Sequence, residues 1–361
     1  MQKRVVVKLL GCFLFLALVR TNANAQKKTM KLQDGSLYGY DSGYVISFRD
    51  NLIITVVNET KSSYMLANFN YKNNAYSLDY QTNTLNTWGL GFDYKWLTFE
   101  YTKRMPWYTP DATMGEVKNS GFGFGLTGRR LAFRNFFENT KGYYLANTDS
   151  WLKDYKEQNG TYYIRPDIGT YTYFASLNYV FNNKHFSNNA SLWQLERQQK
   201  RAFTVVAGLT YVYSSFSADS SIIPTTGVDT FPRSNNTYFA LNSVGLNCGF
   251  LGTIPIGKQK KWFITMAFEP GLSRQWGQVT VENVGVAKAQ KLVGFQSEFR
   301  FGFGYNGDKW YIGSVVKTYA NLNAIDHPDP MSITHRFGRL YFGYRFNEIK
   351  VNSPFLKKLR L

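Results

Sequence analysis

Imidazole, hydroxyl and carboxylate groups build most hydrolytic sites, and this chain carries only three histidines. One stands in His185-Phe186-Ser187, a His-x-Ser spacing that suits a base and its nucleophile in a lipid-directed hydrolase. A third residue must orient the base, and Asn188 or Asn189 is the nearest candidate. The second histidine, in His327-Pro328-Asp329-Pro330, offers acceptors to a cation. Two prolines and an aspartate are also what a rigid turn uses. The third, His335, lies near the last strand and reads as interfacial. Gly121-x-Gly123-x-Gly125 is strand alternation rather than a phosphate loop, and no zinc spacing occurs. The sequence therefore predicts no metal and no cofactor, and it offers His185 and Ser187 as its one weak catalytic pair.

Charged residues embedded in apolar alternation carry more information. Asp93, Glu100, Glu298, Arg300 and Arg345 share parity with glycines on segments whose other face is aromatic. Phe299, Phe301, Phe303 and Tyr305 alternate with Arg300, Gly302 and Gly304; Trp88, Leu90, Phe92 and Tyr94 alternate with Gly89, Gly91 and Asp93. Leu97-Phe99-Tyr101, Phe122-Phe124-Leu126 and Phe342-Tyr344-Phe346 repeat the pattern. A soluble sandwich turns its polar face outward, and glycine weakens a solvated strand. Glycine and charge toward a lumen, with aromatics toward lipid, is the pattern of a transmembrane barrel. The five charged residues are then lumen-lining, either paired in a closed barrel or hydrated in a narrow pore.

The elements that would position them follow from the spacing of the links. Five long polar segments, 106–118, 140–169, 217–236, 277–289 and 321–332, alternate with shorter ones around Lys95, 128–130, 254–260 and Asn306-Gly307. The segment 183–200 is a middle-length link on the short side. Asn-Gly is a strong hairpin signal because both residues tolerate positive φ. Ten strands fit between residues 97 and 346; 85–94 and a partner in 52–57 or 62–71 make twelve. Trp96, Trp262 and Trp310 follow short turns, while Trp88, Trp107 and Trp276 adjoin long links, as two interfacial girdles would. The predicted fold is all-β: a transmembrane antiparallel up-and-down β-barrel of about 12 strands, with long extracellular loops and short periplasmic turns. In that topology His185 and Ser187 lie at the periplasmic end, away from outer-leaflet lipid, which argues against catalysis.

Composition and the first residues agree. Aromatics reach 17 % and charged residues only 18 %, which excludes a disordered chain and is unusual for a cytosolic enzyme. Lys3, Arg4 and Lys8 precede the apolar run 9–19, and Ala23-Asn24-Ala25 has the small residues of a cleavage site. Residues 1–25 read as a signal peptide, 26–51 as an N-terminal periplasmic segment, 52–346 as the barrel and 347–361 as a basic periplasmic tail. With Lys3, Arg4, Lys8 and Arg20 removed, the formal charge falls from +18 to +14. Beyond residue 26 no apolar run approaches the ~20 residues of a membrane helix.

Several strings together resemble an uncharacterised family of Bacteroidetes-type outer-membrane proteins, the domain-of-unknown-function family 4421. They are Arg165-Pro166-Asp167-Ile168, Tyr179-Val180-Phe181-Asn182 with Phe186-Ser187, Gln198 to Arg201, Tyr305 to Trp310, and Gly343-Tyr344-Arg345-Phe346. After the Gln/Lys cluster the family has a Ser-Ala-Gly-Ser run where this chain has Arg201-Ala202-Phe203-Thr204. The resemblance implies an outer-membrane barrel and no established activity. The expected partners are outer-membrane lipids and lipopolysaccharide, and the barrel-insertion machinery through the last strand. Nucleic acid is not expected, and the chain should be a monomer. The functions open to it are a passive channel or transport-related barrel for small solutes, anionic ones among them, a non-conducting structural or surface-interaction barrel, and, third, the hydrolase.

Overall fold

The computed structural model describes residues 32–71, 74–224, 236–281, 285–322 and 331–346. The leader, the His327 segment and the basic tail lie outside the described residues. The strands in chain order are β1 (Gln33–Asp34), β2 (Val45–Ser47), β3 (Ile53–Tyr71), β4 (Asn74–Gln81), β5 (Leu85–Tyr94), β6 (Leu97–Arg104), β7 (Lys118–Thr127) and β8 (Leu131–Leu145). They continue as β9 (Tyr163–Val180), β10 (Glu196–Gln198), β11 (Ala202–Ser217), β12 (Asn236–Ile256), β13 (Trp262–Val281), β14 (Gly285–Asn306), β15 (Trp310–Leu322) and β16 (Met331–Arg345). Among the described residues three short α-helices, α1 (Thr148–Trp151), α2 (Tyr155–Asn159) and α3 (Asn188–Leu192), lie in links.

Antiparallel pairing runs from β16 through β15, β14, β13, β12, β11, β9, β8, β7, β6 and β5 to β3, and β3 closes on β16. That is a closed barrel of twelve staves, in which every strand finds both neighbours, as a membrane requires of its backbone groups. Both segments considered as the first stave belong to the single strand β3. Its outer half pairs with β4 from Tyr64↔Gln81, and its inner half pairs with β5 to Ile53↔Asp93. β4 and β5 are thus one stave broken at residues 82–84. Because β6 and β7 stop short, the free edge of β4 pairs instead with β8, at Tyr80↔Leu145 and Gln81↔Tyr144.

The period-two pattern places side chains as the sequence predicts. Phe299, Phe301 and Phe303 are exposed on the outer wall, as are Leu246, Phe250, Met266 and Leu340. Arg300 and Glu298 between them are buried. The inward glycines make room for large neighbours inside: a Cβ on Gly343 would stand 2.0 Å from Tyr311 Cζ. Trp262 and Trp310 extend an outer aromatic cluster with Phe303 and Tyr305 at the short-turn end.

Two local expectations are corrected. Residues 277–289 are strand up to Val281 and again from Gly285, and β8 continues to Leu145. Crossing the bilayer needs only about 9–11 residues per strand, so polar residues beyond it still pair; polarity there marks water, not a loop. Asn306-Gly307 does not form a tight turn with two positive φ angles: among the described residues neither is in that region. The link is 307–309, closed by Gly307 N–H donating to Trp310 O at 3.0 Å. Asn306 is held by partners inside the barrel.

Candidate functional site: a plugged lumen with a central chamber

The short-turn end is closed by two segments that no periodicity announced. β2 pairs on one side with β1 and on the other with β10, so residues 32–50 and the 181–201 link form one small sheet across the mouth. Phe186 inserts into the lumen against Val180, Val206, Leu251 and Ala267 and is fully buried. Leu195, Val45 and Phe48 are buried with it. The polar centre is Glu196, which pairs with Arg49 Nε at 2.6 Å and accepts from the Tyr40 hydroxyl at 2.8 Å. Burial, with the Glu196 carboxylate adding to it, pushes the Tyr40 hydroxyl well above its ordinary value.

Arg345 ties this plug to the barrel. Its guanidinium donates to Gly307 O, Gln194 O and Asn306 Oδ1, each at 2.6 Å, and lies 3.7 Å over the Phe48 ring. The Asn306 amide donates to Gln194 Oε1 and Glu196 O at 2.9 Å. Arg197 Nη1 donates to Asp308 Oδ1 at 2.7 Å, and Lys261 Nζ stands 3.2 Å from Oδ2. Burial works against the Asp308 charge, but the hydrogen bonds and charges of Arg197 and Lys261 hold its carboxyl below the ordinary value. Phe186, Gln198, Asn306, Asp308 and Arg345 come from four separate strings of the family resemblance and meet at this plug.

The weak catalytic pair is absorbed by the same structure. Ser187 is the N-cap of α3: its Oγ accepts from Ala190 N–H at 2.9 Å and donates to Glu196. His185 points elsewhere, with Nε2 2.7 Å from Asp41 Oδ2 and its ring stacked 4.2 Å from Tyr44. The two side chains have different partners, and neither Asn188 nor Asn189 orients the imidazole. Ser187 is fully buried and committed as a cap, with Glu196 rather than His185 as its acceptor.

The lumen beyond the plug is cross-braced. Arg134 on β8 pairs with Glu298 on β14 at 3.2 Å, although four staves separate them by the shorter route. Arg339 on β16 grips Glu100 on β6 at 2.9 and 2.6 Å and stands 3.6 Å from Glu59. Lys61 joins Glu59, at 2.9 Å, to Glu138 on β8, at 3.8 Å. Arg300 and Lys317 both lie 3.4 Å from Glu298. Phe136 meets Phe337 at 6.4 Å, and Phe174 meets Tyr319 at 5.3 Å, again between non-adjacent strands. Parity identified Glu100, Glu298 and Arg300 in this network. Asp93 is buried nearer the plug, beside Thr55, Tyr311 and Gln194, and Arg345 sits at the plug itself. Parity also applies to Glu59, Lys61, Arg134, Glu138, Glu269 and Lys317, whose strands lack that aromatic alternation, and to Arg339, which lies on β16 just before its aromatic run begins at Phe342.

Between the braces lies a chamber of about 190 Å³. Its floor is Ser191, Leu192 and Trp193, the end of α3 and the residue after it. Toward the long-link end the lumen is filled by an apolar cluster that includes Met65, Tyr80, Phe216, Ile222 and Ile223. Tyr80 donates to Ile222 O there, and Arg165 Nη1 donates to Ser221 O at 2.6 Å, drawing residues 218–224 inward.

A family model described as Domain of unknown function (DUF4421) matches residues 39–346. The chain belongs to that family. No curated protein sequence matches the chain significantly. Among solved structures it is similar to the outer-membrane protease OmpT of Escherichia coli, with 10 % identity and a TM-score of 0.41 over 83 % of this chain and 98 % of that one. It is also similar to the beta domain of the Bordetella autotransporter BrkA, with 11 % identity and a TM-score of 0.37 over 81 % and 99 %. The Pseudomonas putida toluene transporter TodX gives 8 % identity and a TM-score of 0.29 over 82 % and 90 %. These likenesses are distant and concern the fold alone.

Proposed function

We propose that this DUF4421 protein is an outer-membrane barrel closed at rest, a non-conducting structural or surface-interaction unit rather than an open passive channel. The observation that carries the reading is the set of buried ion pairs between opposite walls, Arg134–Glu298 above all. A conducting pore needs water along its axis, whereas these side chains occupy it. Buried charges tolerate that only when paired, and Arg134–Glu298, Arg339–Glu100 and Lys61–Glu138 each join opposite charges from different strands. The plug supports the same reading at the short-turn end.

The apolar outer wall and the leader-like residues 1–25 favour the outer membrane, with the short turns and the plug on the periplasmic side. Lipid and lipopolysaccharide then cover the wall, a single chain suffices because the sheet closes on itself, and the last strand β16 offers the insertion machinery its apolar face.

Proteoliposome swelling tests the reading. Vesicles carrying the folded protein should swell in isotonic arabinose or glycine no faster than protein-free vesicles. Swelling that scales with protein content would establish an open pore and sink the proposal.

A further inference from the structure

The charges facing the chamber do not balance. Lys61 and Arg339 are engaged by Glu59, Glu100 and Glu138. Arg134, Arg300 and Lys317 also line the chamber, but their shared carboxylate, Glu298, is not among its lining groups. Three cations thus face the space with Glu298, and Glu269 near it, behind them rather than among the lining groups. Arg300 is only 4 % exposed, and among the described residues its single ion pair is long at 3.4 Å and its Nε has no partner. Among the same residues the Trp193 indole N–H at the floor has no acceptor. Beside these donors are aromatic faces: the Lys317 ammonium stands 5.4 Å from the centre of Phe174 and 5.6 Å from that of Phe136.

A site of this make-up calls for an anionic head and an apolar body. Charge-assisted hydrogen bonds to a carboxylate are the stronger class, and arginine presents them in a fixed fork. The volume sets the size, since a cavity of about 150 Å³ holds benzene. We propose that the chamber binds a small organic carboxylate of about the size of benzoate. Its head would lie among Arg134, Arg300 and Lys317, and its body on Phe136 and Phe174. The inference rests on the closed-barrel reading, because an open lumen would keep these cations in bulk water and counter-ions.

The full-length barrel, folded in detergent micelles both with and without benzoate so that a sealed lumen cannot hide the site, is the material for the test. Equilibrium dialysis with labelled benzoate should show saturable binding of one molecule per chain. Benzyl alcohol, which keeps the ring and loses the charge, should bind at least tenfold more weakly. Arg300→Gln should weaken benzoate at least tenfold while the heat-dependent gel shift of a folded barrel persists. Gly123→Leu attacks the space instead of the charge: a Cβ there stands 3.2 Å from Asn135 O, and the rest of the side chain enters the chamber, so benzoate binding should be lost. No saturable benzoate binding by the wild type, equal binding of the alcohol, or wild-type affinity in folded Arg300→Gln would each overturn the inference. A barrel that is impermeable yet binds no benzoate defeats this inference alone, whereas a permeable one defeats the reading beneath it.

Discussion

Glu298→Ala should destabilise the folded barrel by about 3–5 kcal/mol, the range for removing one partner from a buried ion pair. Its carboxylate is the common counter-charge of Arg134, Arg300 and Lys317, all within 3.4 Å. The nearby Glu269 is already accepting from Asn178 at 2.8 Å and Asn247 at 3.4 Å. Removing Glu298 leaves three positive groups facing one another in a confined space. The measurement is the urea midpoint of reversible folding into lipid vesicles. A second substitution, Lys317→Met in the Glu298→Ala background, should recover part of the loss by relieving repulsion, and the double-mutant cycle isolates that coupling. A loss below about 1 kcal/mol for Glu298→Ala would mean that water already screens the cluster.

Arg345→Ala should release the plug. Arg345 is 1 % exposed and its guanidinium donates to four oxygens, three of them on the β14–β15 turn and its Asn306 flank and one on the plug at Gln194. Hydrogen bonds to charged groups contribute about 1.5–3 kcal/mol each, and the acceptors left behind are buried. A total cost of about 3 kcal/mol or more is expected, falling mainly on the contacts between residues 32–50, residues 185–198 and the barrel mouth. Limited proteolysis reads this directly: cleavage within 32–50 or 185–198 should speed at least tenfold while the barrel band persists. Cleavage of both segments at the wild-type rate would show that Arg345 is not their anchor.

The barrel wall was legible because its rule is local. Two-residue alternation in β5, β6, β7, β14 and β16 records which side chain meets lipid, and the same parity sends Glu100, Glu298 and Arg300 inward. The plug was not legible for the converse reason. Residues 183–200 have no period, and they are held by partners distant in sequence: β10 pairs with β2, about 150 positions earlier in the chain, and Phe186 packs against Val206, Leu251 and Ala267. His185-x-Ser187 looked like chemistry because spacing alone cannot distinguish a nucleophile from a helix cap. The discriminating residues, Asp41 and Glu196, are brought there by the fold. Gln198 and Asn306 did carry a signal, since both lie in strings of the family resemblance, but that resemblance assigns no role. The chamber was beyond reach altogether: its charge imbalance exists only once strands distant in sequence face each other across the lumen.

Single-channel recording in planar bilayers asks directly whether the lumen is closed by paired side chains and a plug held by Arg345. Wild-type protein, inserted and verified as folded, should show no unitary conductance steps in 1 M KCl. Arg345→Ala should stay silent as well, because loosening the plug leaves the cross-lumen ion pairs and the apolar cluster at the long-link end in place. Steady unitary conductance from the wild type would mean that the lumen is open.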